Sequence, residues 1–177
     1  MDSIVPLYKA MAPTETGNFL GLSVLNHAKE IGRLIEEVDA KTVLDFGCGR
    51  GDAYRSPHKI HHQWGLPRAA VYLYDPAFHH APMPTGKFDL VVCSDVLEHV
   101  PESEVDEFIA RLFGFAKKAV WASFCARPAK KVFPGTGTNL HVTQRPYAWW
   151  WEKFEIAGHV EFMTRGADLM KRLVETP

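Results

Sequence analysis

Among the residues of this 177-residue chain, His99 and His141 are the best suited to moving a proton, because an imidazole titrates near neutral pH. Glu98 stands beside the first, and Asn139, Thr143 and Gln144 surround the second. Two acids, Asp45 and Asp75, each close a short apolar run, and carboxylate oxygens in such places are good acceptors for paired hydroxyls. After Asp45 the chain reads Phe46-Gly47-Cys48-Gly49-Arg50-Gly51, with three glycines inside five residues. Glycine suits a turn that takes positive φ or lets a bound molecule approach the backbone.

The elements that must position these groups are strands. Val43, Leu44 and Phe46 form a run suited to a buried strand that delivers Asp45 to its tip. Ala70 to Tyr74 reads as a second strand ending at Asp75, followed by Pro76. The thirty residues from Asp45 to Asp75 are what one βαβ unit spans, which predicts parallel neighbours with both acids side by side at one edge. A helix beginning at Asp52 would leave the glycine loop's N–H groups at a helix N-terminus, open to a polar or anionic group. Phe88 to Cys93 is almost continuously apolar, hence a central strand covered on both faces, and it runs into Ser94-Asp95-Val96-Leu97-Glu98-His99-Val100-Pro101.

The dinucleotide fingerprint G-x-G-x-x-G does not fit the spacing here, which is G-x-G-x-G. Instead, Asp45 to Gly51 resembles the first motif of the class I S-adenosylmethionine-dependent methyltransferases, and Ser94 to Pro101 resembles their fourth motif and its sequel, as in the small-molecule enzymes with a DVLEHV passage. The resemblance covers roughly residues 42 to 162. It implies an α/β fold, a Rossmann-like three-layer α/β/α sandwich in a single domain with a mostly parallel sheet. It also implies S-adenosylmethionine as cofactor and S-adenosylhomocysteine as product. By that resemblance Asp45 serves the amino group of the methionine moiety, Phe46, Gly47, Cys48, Gly49 and Gly51 admit the cofactor, Asp75 binds its ribose, Pro76 lies against adenine, and Ser94 and Asp95 border the methyl donor. The segment 77–87 departs from the pattern, being too short for the helix and strand that usually intervene, so one edge strand is expected to be missing or vestigial.

A methyl on a sulfonium is already activated, so the remaining work is to place a nucleophile and remove its proton. His99, His141 and Glu98 are the catalytic candidates, with either histidine as base. The Asp95-to-His99 passage and the later histidine are also similar to small-RNA 2′-O-methyltransferases and ubiquinone-pathway O-methyltransferases. That likeness implies a divalent metal on Glu98, His99 and His141, with Asp95 as a further ligand; we do not favour a metal over a metal-free histidine or a purely structural role. His58, His61 and His62 lack acidic or thiolate partners nearby and read as solvated surface.

Hydrophobic residues at 46%, charged residues at 23% and a net charge of −1 describe an ordinary globular domain with no electrostatic footprint for nucleic acid. Cys48, Cys93 and Cys125 are widely spaced and read as buried hydrophobes of a reducing compartment. With neither a signal segment nor an apolar run long enough for a membrane, the expected location is the cytoplasm. Residues 1–40 divide into an irregular arm over 1–13, where Tyr8, Lys9 and Met11 are lid candidates, and a covering helix near 16–38. Residues 41–125 form the cofactor-binding core. Residues 126–177 supply an acceptor-side loop, a helix over 145–154 with Trp150 and Phe154 in the core, and final strands, one of them at 158–164; the stretch after Gly166 reads equally as strand or helix. The expected reaction is methyl transfer to an oxygen or nitrogen of a small molecule, sugar or glycan. Alternatives are a nucleic-acid methyltransferase, a module that binds the cofactor without transferring the methyl, and, more remotely, a nicotinamide-dependent reductase.

Overall fold

The computed structural model describes residues 3–11, 19–78, 82–157 and 169–173. Four parallel strands, β1 (Val43–Phe46), β2 (Val71–Tyr74), β3 (Phe88–Ser94) and β4 (Ala116–Ser123), and an antiparallel β5 (Leu169–Leu173) form one sheet in the order β2-β1-β3-β4-β5. The strand predicted at 158–164 lies outside the described residues, and the ambiguous stretch after Gly166 contains β5. Among the described residues no strand lies between β2 and β3 in sequence, so β2 ends the sheet, as the short 77–87 segment implied.

Alternation along the strands sorts the core into two layers. Val43, Leu90, Val92 and Trp121 pack on one face with Ile31, Leu34 and Ile35 of α2 (Ala28–Glu37) and with Ile60 of the short α3 (Ile60–Gln63). Leu44, Phe46, Val91, Cys93 and Val120 pack on the other against α4 (Val105–Phe115) and α5 (Tyr147–Ala157). Trp150 and Phe154 are buried here, four residues apart on one helical face, as expected. The register is pinned at the foot of the sheet, where the Asp89 carboxylate accepts the Lys41 and Thr42 N–H groups at 2.8 and 3.0 Å while Thr42 Oγ1 accepts the Asp89 N–H at 3.0 Å.

Several local expectations are corrected. Within the arm expected to be irregular, Val5–Met11 is a helix, α1, whose Tyr8 and Met11 are buried with Ile4, Phe133 and Leu140. The covering helix begins only at Ala28, after a 3-10 turn over Ser23–His27. The helix expected from Asp52 to about His62, interrupted at Ser56-Pro57, is replaced by a 3-10 turn over Asp52–Tyr54 and a short α3 that starts at Ile60. His58 and His62 are exposed, but His61 is buried against the Tyr54 ring, because its side of α3 faces the core. No helix among the described residues is long and apolar enough to cross a membrane.

Candidate active site

The C-terminal edge of the sheet carries a cavity of about 360 Å³, floored by the glycine loop and the tip of β3 and roofed by α1 and the strap Phe19-Leu20-Gly21-Leu22. Among the sequence-predicted residues, Gly47, Gly49, Asp75, Ser94, Asp95 and His99 line it. Asp45, Phe46, Cys48, Gly51, Pro76, Glu98 and His141 do not.

The pleat explains two of those placements. Asp45 shares its face of β1 with Val43, so its carboxylate points below the loop, where it accepts the Tyr54 hydroxyl at 2.7 Å. Burial pushes Asp45 up to about 7, against the lowering effect of that hydrogen bond, with the nearby Asp75 charge adding to the rise. Phe46 points to the opposite face and packs on Tyr74, Phe108 and Phe115. The register puts Asp45 opposite Leu73, leaving Asp75 just beyond the end of β2.

Asp75 is the acid that reaches the cavity. Its Oδ1 accepts the Ala77 and Phe78 N–H groups at 2.8 and 3.2 Å, and its Oδ2 accepts the Gly49 N–H at 3.0 Å. Burial raises it to about 6, opposed by those three amides. A carboxylate has about four acceptor positions, so capacity for a hydroxyl donor remains after three amides are served.

The glycine loop does not offer open amides. Gly47 and Cys48 donate to the Tyr74 carbonyl, Gly49 to Asp75, Gly51 to Cys48, Arg50 to Phe19 and Asp52 to Leu20. The expected anion-ready helix N-terminus is therefore replaced by a loop whose donors are taken by β2 and by the strap. The strap approaches so closely that a Cβ on Gly21 would lie 1.9 Å from the Cys48 carbonyl oxygen, and one on Gly49 would lie 2.5 Å from the Phe19 carbonyl oxygen. Both glycines have positive φ, +72° and +55°, which other residues rarely adopt. The Phe19 ring stacks on Phe78 at 4.9 Å and meets Tyr8 edge-on at 5.6 Å, which closes the wall beside Asp75.

Asp95, at φ +53°, is held by Ser123 at the tip of β4: its N–H meets Ser123 Oγ and the Ser123 carbonyl at 3.1 Å each, and its Oδ1 accepts the Ser123 hydroxyl at 2.9 Å. Ser94 Oγ lies 3.2 Å from Ser23 Oγ and 3.3 Å from Ser123 Oγ. Sequence reasoning missed Ser23, Ser123, Tyr54 and the strap, since each acts through contacts with segments distant in the chain.

Glu98, His99 and His141 converge, each offering one ligand atom within 4.8 Å of the others; Asp95 is not part of that group. Glu98 is buried, and its Oε1 accepts the Cys125 N–H at 3.0 Å. The long loop is brought over by Thr143, whose N–H donates to the Glu98 carbonyl at 3.1 Å and whose hydroxyl donates to the Val100 carbonyl at 2.6 Å. The His99 and His141 rings meet edge-to-face at 5.0 Å.

Carbonyl partners assign both tautomers. His99 Nδ1 is 2.9 Å from the Leu140 carbonyl and 2.6 Å from the Tyr8 hydroxyl, which itself donates to the Leu140 carbonyl at 3.0 Å. A carbonyl only accepts, so Nδ1 carries the proton and Nε2 keeps its lone pair. His141 Nδ1 likewise donates to the Arg127 carbonyl at 2.5 Å. Burial lowers His99 to about 4, so it is neutral across the physiological range. Tyr8 is pushed well above the usual phenol range by burial and by the negative charges of Glu98 and Asp75, so it stays a hydroxyl.

A mostly parallel sheet of this order, with a glycine loop after β1 and an acid beyond β2, is the Rossmann-like methyltransferase fold. Residues 25–175 match a family model described as a methyltransferase domain, so the chain belongs to that family. A 43-residue stretch is 49% identical to the chloroplastic magnesium protoporphyrin IX methyltransferase of Arabidopsis thaliana, a match covering 24% of this chain and 14% of that enzyme. In three dimensions the chain is similar to magnesium protoporphyrin IX methyltransferase from Synechocystis PCC 6803, solved with bound SAH, with a TM-score of 0.54, 16% identity and coverage of 98% of this chain and 95% of that one. It is also similar to DhpI in its SAH complex, with a TM-score of 0.57, 16% identity and coverage of 99% and 97%. At these identities the two structures speak for the fold.

Proposed function

We propose that the protein transfers the methyl group of S-adenosylmethionine to an oxygen or nitrogen of a small acceptor held between α1 and the turn that follows β3. One observation supports this reading above others: a single cavity is lined by the glycine loop, by Asp75 and by His99, a histidine whose Nδ1–H is donated to a carbonyl. In this reading Asp75 takes a ribose hydroxyl, Gly47 and Gly49 form the floor against which the cofactor lies, and Asp95 borders the methionine moiety. Asp45 acts from below by fixing Tyr54 and the loop. His99 Nε2 accepts the acceptor's hydrogen bond and orients its lone pair for in-line attack. Burial keeps the imidazole a weak base, so full proton removal ahead of transfer is disfavoured; the proton passes to Nε2 as the bond to the methyl carbon forms and the carbon–sulfur bond breaks to leave S-adenosylhomocysteine.

The experiment is calorimetric titration with S-adenosylhomocysteine, then a labelled-methyl assay over a panel of hydroxyl and amine acceptors. Micromolar binding with label transfer supports the proposal. Binding without transfer to any acceptor points to a cofactor-binding module, and no binding refutes it.

A second reading is favoured by the convergence of Glu98, His99 and His141. The residues fit a divalent cation, since a buried carboxylate and two imidazoles with Nδ1–H donated to carbonyls form the usual ligand and support pattern. Such an ion would lower the pKa of an acceptor hydroxyl. Titration with Mn²⁺, followed by its magnetic resonance signal, tests it: stoichiometric uptake in the native protein that His141→Ala weakens by about tenfold supports a metal centre. Uptake that His141→Ala leaves unchanged, or none, refutes it.

A further inference from the structure

The acceptor half of the cavity has a chemistry that limits what can enter. With His99, the cavity is lined by Ile4, Val5, Tyr8, Val96 and Val100, and no lysine or arginine lines it among the described residues. The charged side chains on its wall are two acids, Asp75 and Asp95. The basic residues near the long loop, Arg127, Lys130 and Lys131, are exposed. The wall's other polar groups are already engaged: Ser23 and Ser94 with each other, and the Tyr8 hydroxyl with His99 and the Leu140 carbonyl.

From this we infer that the acceptor is an uncharged, largely apolar molecule, best with a flat ring, that presents one O–H or N–H donor to His99. The inference rests on the proposed methyl transfer and narrows its substrate class. A phosphate or carboxylate entering beside Val96 and Val100 would give up its hydration without meeting a cation among the described residues. A sugar would bring several hydroxyls to a wall with few open partners, each losing its bonds to water. An apolar ring loses nothing of that kind and gains the burial of its faces against aliphatic side chains and the Tyr8 ring. Its single polar hydrogen has a defined destination, because the donated Nδ1–H leaves Nε2 as an acceptor.

The test uses binding, so that it does not depend on finding the natural acceptor. The protein saturated with S-adenosylhomocysteine is titrated with 2-naphthol and 2-naphthyl phosphate by ligand fluorescence, and with methyl glucoside by ligand-observed NMR. The expected result is that 2-naphthol binds about tenfold or more tighter than its phosphate, with methyl glucoside weaker still. Val5→Lys, a half-buried position on the cavity face of α1, is expected to raise the relative affinity for 2-naphthyl phosphate by about fivefold, because the wall then supplies a cation. The inference is overturned if the phosphate or the glucoside binds as well as 2-naphthol, if 2-naphthol does not bind, or if Val5→Lys moves neither naphthyl compound. Prior titration with S-adenosylhomocysteine alone separates the failures: without that binding the methyltransferase site assignment falls, whereas with it and no preference for naphthol only the acceptor class falls.

Discussion

Asp75→Ala is the perturbation with the most to say about the cofactor. The carboxylate receives three amides, from Gly49, Ala77 and Phe78, and in the proposed complex its remaining acceptor position receives a ribose hydroxyl. Hydrogen bonds to a charged group contribute about 1.5–3 kcal/mol each. The lost hydroxyl bond leaves a deficit of about 2 kcal/mol, or roughly thirtyfold in affinity for S-adenosylhomocysteine. Asp75→Asn serves as companion, since it keeps one acceptor oxygen but does not ionise. The free carboxyl lies at about 6, raised by burial. Hydroxyl donors favour the ionised form, so affinity is level above that pH and weakens as pH falls through it, by up to about tenfold per unit. The assay is calorimetry from pH 5 to 8 on the native protein and both variants. An Asp75→Ala protein that binds within about threefold of native, or an acid limb that persists unchanged in Asp75→Asn, would refute the assignment of Asp75 to the ribose.

Three further outcomes are expected. Tyr54→Phe removes the donor to the buried Asp45 and lowers stability in urea by about 1–3 kcal/mol. Because Asp45 sits at about 7 when folded, above its unfolded value, its contribution is fullest in acid and is lost as pH rises through 7; the variant's deficit grows between pH 5 and 8, and an equal deficit at both contradicts the account. Gly21→Ala forces a Cβ to 1.9 Å from a carbonyl oxygen at φ +72°, so thermal denaturation shows a loss of about 1–3 kcal/mol and S-adenosylhomocysteine binds more weakly; unchanged melting would mean the strap is not held as described. Tyr8→Phe keeps the ring contacts with Phe19 and Phe133 but deletes the hydroxyl between His99 and Leu140, so turnover falls about tenfold while S-adenosylhomocysteine affinity changes by less than about threefold; loss of affinity alone would make Tyr8 a binding residue instead.

The parts of the site legible in the sequence are those written as local pattern. Val43 to Phe46 and Val71 to Tyr74 announce short buried strands by their apolar runs, as Phe88 to Cys93 announces β3. The direction of Asp45 was less visible: it follows from the pleat only once the face holding Val43 is known to be the α2 face. The fate of the loop amides was not visible at all. Arg50 and Asp52 bond to Phe19 and Leu20, some thirty residues away, and no spacing rule connects a strap to the turn beneath it. Convergence of Glu98, His99 and His141 was anticipated from likeness, yet its agent, the two-point attachment of Thr143 to Glu98 and Val100, carries no motif.

The crossing of Gly21 over Gly49 has a practical bearing on how this chain can be cut and rejoined. Shortening it from its amino end past Leu22 would strip the amides of Arg50 and Asp52 of their acceptors and remove a wall of the ligand chamber, although every strand would survive. New termini are better opened in the exposed stretch from Gly135 to Thr138, where Cβ atoms on Gly135 and Gly137 would meet open space.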